Sequence, residues 1–204
     1  MIGIVNYGSG NIQAIANIYN RLNIRFKIIE APDELKLADR LILPGVGAFD
    51  ATMKELNDSG LKTALDEEVL VKKKPILGVC VGMQILSNGS EEGNLAGLGW
   101  IKGEVKQFDI QKIKEKPYLP HMGWNTVEPT LKHALFNGIE HELGFYFVHS
   151  YYFETTQDSD ILGTTYYGDT FSSAVFHDNI FGMQFHPEKS HSNGIRLLSN
   201  FANI

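Results

Sequence analysis

The sequence predicts an α/β fold: a mostly parallel, twisted sheet flanked by helices, with an antiparallel strand region in the second half. From Ile2 to Leu86, short β-branched runs alternate with segments of helical apolar spacing, the pattern that builds parallel sheets. After Trp100 the chain changes to aromatic-rich strand candidates separated by turn signals. No repeat, low-complexity tract or linker-like stretch divides the chain, and 204 residues suffice for one sizeable core but are short for two. A single domain over 1–204 is therefore expected.

The elements follow in order. Ile2 to Asn6 is apolar and β-branched, and Gly8-Ser9-Gly10 turns the chain into a helix that starts at Asn11. There Ile12, Ile15, Ala16, Tyr19 and Leu22 recur at helical spacing. Phe26 to Ile29 is a second strand, and Pro32-Asp33 starts a short helix. Leu41-Ile42-Leu43 is a third strand, stopped by Pro44-Gly45-Val46-Gly47. Asp50 is placed to cap the next helix, and another runs from Ser59 to Val71. Pro75 to Cys80 is a fourth strand that breaks sharply into a helix at Gly82.

In the second half the strand candidates are Trp100 to Phe108, Gly144 to Phe153, Ile161 to Tyr166, Ser172 to Phe176 and Ile180 to Phe185. Asp178-Asn179 fits a tight hairpin, and a closing helix runs from Asn193 to Phe201. The charged stretch Lys112 to Pro117 reads as a surface loop. In a parallel sheet, functional groups gather at the carboxyl ends of the strands.

Composition excludes several classes. A net charge of −6 disfavours general nucleic-acid binding, which needs a basic face. The longest mostly apolar run, Ile76 to Leu86, is 11 residues and too short to span a bilayer. The first residues lack the basic start and cleavage site of a signal peptide. The lone cysteine rules out an internal disulfide and fits a reducing cytoplasm. Such a thiol is either a small buried apolar side chain or a nucleophile.

Gly78-Val79-Cys80-Val81-Gly82 has the form of a nucleophile elbow: an apolar strand, a central reactive residue, then a helix. The sharp turn strains the central residue, and the flanking glycines let neighbouring backbone approach. Amide dipoles at the start of a helix favour thiolate over thiol. The alternative is a structural cysteine between packing glycines.

A nucleophile needs a base, and the base needs an orienting group. His186-Pro187-Glu188, at the end of a strand, offers both. By itself the tripeptide is equally a polar surface turn. His133 and His141 lie in polar stretches, and His177 sits at a hairpin turn. His121 and His149 are placed near the site without an adjacent carboxylate. His186 and His191 lack a second ligand pair, so neither a metal nor another cofactor is expected. Gly45-Val46-Gly47 could supply backbone N–H groups to a developing oxyanion, or simply end a strand.

Together these segments resemble the class I glutamine amidotransferases across nearly the whole chain. Gly78 to Gln84 is similar to the family's cysteine elbow, and His186 to Glu188 to its second signature. Asn6 to Asn11, Pro44 to Phe49 and His121-Met122-Gly123-Trp124-Asn125 look like the glutaminase subunits of imidazole glycerol phosphate synthases. Asn6 departs from the more usual aspartate and Val81 from leucine, while Ser87 to Ser90 replaces a bulkier, more acidic segment. Parts of the chain also resemble paralogous glutaminases that supply ammonia for sugar amidination in surface-polysaccharide synthesis.

The resemblance implies a flavodoxin-like fold and an enzyme that hydrolyses L-glutamine through a Cys80-His186-Glu188 triad and a glutamyl thioester. Val81 and the Gly45-Val46-Gly47 strand would form the oxyanion hole. Gln84 and the Ser150-Tyr151 backbone would hold glutamine, and Glu92 would receive its ammonium. A (β/α)8-barrel cyclase would dock as the other half of a heterodimer, against Asn11, Trp124 and Lys189. It would take the ammonia and release imidazole glycerol phosphate and aminoimidazole carboxamide ribotide, in histidine biosynthesis.

Overall fold

A computed structural model describes residues 1–114, 116 and 118–204. The first half contains β1 (Ile2–Val5), α1 (Ile12–Arg21), β2 (Phe26–Ile29), β3 (Arg40–Gly45), α2 (Phe49–Asp58), α3 (Lys62–Asp66), β4 (Ile76–Cys80) and α4 (Val81–Gln84). The second half contains β5 (Gly89–Ser90), β6 (Gly103–Gln107), β7 (His121–Asn125), β8 (Glu128–Pro129), β9 (Phe145–His149), β10 (Tyr151–Thr155), β11 (Ile161–Tyr167), β12 (Asp169–His177), β13 (Ile180–Met183) and α5 (His191–Phe201).

An eight-stranded sheet runs β2-β1-β3-β4-β13-β12-β11-β8. The pairs from β2 through β13 are parallel, and those from β13 to β8 are antiparallel. The α/β fold expected from the two halves is thus present, with a sheet mostly parallel at its centre. β3, β4 and β13 are buried almost throughout, which is why they read as continuous apolar runs rather than alternating ones. α1 packs Ile15, Ala16 and Tyr19 inward, and the Tyr19 hydroxyl donates to the Leu198 carbonyl of α5 at 3.2 Å.

Several local expectations are corrected. Pro44 does not end β3, which continues to Gly45 beside β4. β1 pairs only as far as Ile42, so proline's missing N–H removes no bond to that neighbour. Asp50 does not cap its own helix; its carboxylate accepts the N–H groups of Asn94 and Leu95 across the loop. The helix expected over 59–71 is α3 followed by a π-helical turn, Glu67–Val71, and Ser59 instead ends α2.

The strand expected from Gly144 to Phe153 breaks at Ser150. β9 pairs antiparallel with β7, whereas β10 joins β6 and β5 in another sheet. β7 itself falls in a stretch not read as strand. The charged loop expected over 112–117 includes Glu115 and Pro117, which lie outside the described residues. Asn6, where aspartate is more usual, donates to Glu30 at 2.8 Å; an aspartate there would face another carboxylate.

Candidate active site

Sheet register brings the predicted groups to one place. Gly45 at the end of β3 pairs with Cys80 at the end of β4, and Met183 of β13 pairs with Val79. Three adjacent parallel strands therefore deliver the Gly45-Val46-Gly47 strand, the cysteine and His186 to one edge, as expected of carboxyl ends in an α/β sheet.

Cys80 has φ 56° and ψ −117°, a backbone region that side-chain-bearing residues rarely occupy. Glycines make the turn possible. A Cβ on Gly82 would stand 1.9 Å from the Leu43 carbonyl oxygen, and one on Gly45 would stand 2.5 Å from the Gly82 nitrogen. The elbow is thus pressed onto β3 with no room for a methyl group. Cys80 is 4% exposed and lines a cavity of about 490 Å³.

His186 Nδ1 lies 2.8 Å from Glu188 Oε1, which leaves Nε2 as the ring nitrogen available to the thiol. Its backbone is pinned as well: its N–H donates to the Tyr146 carbonyl and its carbonyl accepts from Ser190 Oγ. Burial pushes the imidazole's pKa down, but hydrogen bonds to Cys80 and Glu188 outweigh it and raise the value to about 10. Burial pushes the Glu188 carboxyl up, and the paired His186 and the amide of Asn11 hold it below the ordinary carboxylate value. Each partner thus favours the charged form of the other.

Val46, Gly47 and Val81 line the same cavity. Val81 opens α4, so its N–H has no intrahelical acceptor. The Val46 N–H is occupied: it donates to Ser9 Oγ at 3.0 Å, and the same hydroxyl donates back to the Val46 carbonyl at 3.1 Å.

On the opposite wall, Gln84 is buried and spends both Nε2 hydrogens, on the Tyr151 carbonyl at 3.1 Å and on Gln184 Oε1 at 3.0 Å. Its Oε1 is the group left to accept from a bound molecule. Ser150 and Tyr151 line the cavity, and so does Glu92, an exposed residue whose Oε2 accepts the first N–H of α2 at 2.9 Å.

Asn11 lines the cavity and also donates to Glu188 Oε1 at 2.7 Å, which ties it to the His186–Glu188 pair. Lys189 is exposed on the rim, with its ammonium 5.7 Å above the Tyr146 ring rather than in an ion pair with Glu188. Trp124 lies outside this cavity, 48% exposed and stacked on His191 at 5.1 Å.

Sequence reasoning missed Gln184. It is fully buried, and its Nε2 sits 4.0 Å from Cys80 Sγ. No motif marked it: Gln184 lies one residue past β13, and its partner Gln84 is distant in sequence.

The family described as "Glutamine amidotransferase class-I" matches residues 3–204. The imidazole glycerol phosphate synthase subunit HisH of Leptospira interrogans is 48% identical over 204 residues, covering 100% of both chains. That of Bdellovibrio bacteriovorus is 50% identical with the same coverage. Among solved structures, PurLQS from Thermotoga maritima aligns with a TM-score of 0.71 at 18% identity, covering 99% of this chain and 97% of that one. The glutaminase domain of Trypanosoma brucei CTPS aligns with a TM-score of 0.65 at 19% identity, covering 99% and 93%. These two likenesses speak to fold alone.

Proposed function

The chain belongs to the class I glutamine amidotransferase family, and from that membership we propose that Cys80, His186 and Glu188 perform its chemistry. The function is that of the glutaminase subunit of imidazole glycerol phosphate synthase: L-glutamine is hydrolysed to glutamate and ammonia, and the ammonia serves histidine biosynthesis. The observation that carries the residue assignment is that Cys80 and His186 line one cavity, with His186 Nδ1 held 2.8 Å from Glu188 Oε1.

In this reading His186 accepts the thiol proton as Cys80 attacks the side-chain amide carbon of glutamine. A C–S bond forms, the C–N bond breaks, and the imidazolium gives its proton to the departing nitrogen, releasing ammonia. Water, deprotonated by His186, then hydrolyses the thioester and restores the thiol. Glu188 fixes the imidazole's orientation and stabilises its charged form.

Gln84 Oε1 and the Ser150-Tyr151 backbone hold glutamine. The Tyr151 carbonyl already accepts two internal bonds, so the contribution comes from the segment's other backbone groups. Glu92 receives the ammonium. The N–H of Val81 and one from Gly45-Val46-Gly47 stabilise the oxyanion once Ser9 releases Val46.

Residues 1–204 act as one domain, supported by a single apolar cluster that runs from Ile2 to Phe201. A (β/α)8-barrel cyclase docks over the cavity at Asn11, Trp124 and Lys189 and takes the ammonia before it meets solvent. Cytoplasmic residence fits this role; among the described residues no helix is long and apolar enough to cross a membrane.

The test is reconstitution with a cyclase. Glutamate release should be slow alone and accelerate when the loaded cyclase binds, a coupling between two sites. Cys80→Ala should abolish glutamine-dependent synthesis and leave ammonia-dependent synthesis intact. Glutamine-dependent synthesis that survives Cys80→Ala would overturn the assignment, and loss of ammonia-dependent synthesis as well would place the fault in docking or folding.

A further inference from the structure

Two buried histidines outside the triad face each other across the β7–β9 ribbon. His121 pairs with His149 in register, and His121 Nδ1 lies 3.0 Å from His149 Nε2. His149 Nδ1 is 2.7 Å from the Tyr151 carbonyl oxygen, which can only accept, so Nδ1 carries the hydrogen and Nε2 must accept. His121 Nδ1 is then the donor, and its Nε2 accepts from Asn125 Nδ2 at 3.1 Å. The other Asn125 Nδ2 hydrogen goes to the Tyr166 carbonyl, and Asn125 Oδ1 accepts the Thr126 N–H.

Every tautomer is fixed, and the bonds run one way: Asn125 to His121 to His149 to Tyr151. Burial lowers the pKa of His121 to about 4 and of His149 to about 3, so both rings are neutral near pH 7, as the chain of single hydrogens requires. Tyr167 and Phe147 stack on His121 at 4.1 and 4.7 Å and hold its plane.

The placement of the two ends separates this from polar residues merely satisfied in a core. One end is the carbonyl that also takes Gln84 Nε2, and His149 itself lines the cavity. The other end is Asn125, beside Trp124 and near Met122, both exposed. The ribbon between them is a separate two-stranded sheet, not part of the eight-stranded one.

We propose that His121 and His149 are positioning residues whose one-way hydrogen-bond chain sets the 150–151 backbone against Gln84 and ties that wall of the cavity to the outer face of β7. This rests on the glutaminase reading of the cavity. Without the His149 donor, Tyr151 keeps only its bond to Gln84, and the backbone and Gln84 lose their shared orientation. Binding of glutamine then weakens more than its turnover.

The test uses the full chain with its cyclase. His149→Phe, which keeps a ring and loses both nitrogens, should raise KM for glutamine about tenfold, while kcat changes much less. His149→Asn, which keeps a donor near the Nδ1 position, should stay within about threefold of the parent. A core-filling role predicts the opposite order, with Phe tolerated and the smaller Asn damaging, and that order would overturn the proposal. If His149→Phe fails to fold, 15N NMR of labelled histidine in the unaltered chain decides: both rings should carry hydrogen on Nδ1, and an Nε2–H form of either breaks the chain. Glutamate release by the unaltered complex tests the underlying reading separately, since the tautomers report on the relay whether or not turnover is seen.

Discussion

Asn11 donates to Oε1 of Glu188 from 177 positions away in sequence, at 2.7 Å, onto the same oxygen that accepts from His186. Oε2 of that carboxylate is buried and has no partner among the described residues. The Glu188 carboxylate is thus held by one amide and one imidazole ring. Asn11→Ala should lower kcat for glutamine hydrolysis about tenfold, the loss of one hydrogen bond to a charged group. Asn11→Asp should do worse, because it sets a second carboxylate against Glu188. Steady-state glutamate release by the cyclase-bound chain measures both, and equal activities would show that the carboxylate does not depend on this contact.

The strain at Cys80 should be readable as stability. At φ 56° and ψ −117° a Cβ is costly, and alanine carries the same cost as cysteine. Cys80→Gly should therefore be more stable than Cys80→Ala by about 1 kcal/mol, despite glycine's larger entropy loss on folding. For a chain of this size that is a rise in Tm of about 2–4 °C. Both variants should be inactive with glutamine. Calorimetry that finds alanine the more stable of the two would remove strain from the account of the elbow.

The proposed triad was legible because its chemistry is local in sequence. A strand ending in Gly-x-Cys-x-Gly and a contiguous His-Pro-Glu each state a backbone requirement as well as a reactive group. What escaped depends on which distant atoms meet. Asp50 looks like a cap from its neighbours, yet its partners are the N–H groups of Asn94 and Leu95. Ser150 lies inside an unbroken aromatic run, and only the assembly of two separate sheets requires the chain to turn there. Gln184 carries no local signal because its partners, Gln84 and Cys80, are about a hundred positions away. Pro44 punctuates correctly in most contexts and fails here because β1 is too short to reach it.

The protonation of His186 gives a set of signed expectations. Burial alone pushes its pKa below 6.5, and the bonds to Cys80 and Glu188 together lift it to about 10. In Cys80→Ala one of those partners is gone, so the imidazole should titrate below its value in the unaltered chain. In the Cys80→Ala, Glu188→Gln double variant only burial acts strongly, and the value should fall below 6.5. The raised pKa contributes stability that is full below pH 6.5 and lost as pH climbs through 10. The lowered pKa of Glu188 contributes stability that is full above pH 4.5 and lost in acid, as pH falls through its folded-state value. NMR titration of the imidazole in the three proteins checks the order; coincident curves would mean that the three groups do not share a proton.

Ser9 is 4% exposed and holds both backbone groups of Val46, accepting from its N–H and donating to its carbonyl. With that pair intact, the Val46 N–H cannot also stabilise an oxyanion at Cys80. Exchange of the Ser9 bonds for a bond to substrate is the smallest rearrangement that completes the site. A partner that favours the exchanged state would raise turnover without adding a catalytic group. Ser9→Ala removes both bonds at once and leaves Thr52 Oγ1 as the remaining side-chain donor to the Val46 carbonyl, at 3.3 Å. It should raise glutamate release by the isolated chain several-fold, an effect of about 1 kcal/mol, and shrink the stimulation by loaded cyclase by a similar factor. Cost to stability should be of the same order, since Val46 is 40% exposed. Isolated and cyclase-bound rates measured side by side separate this from general damage: damage lowers both, whereas release of the latch raises the first and leaves the second nearly unchanged.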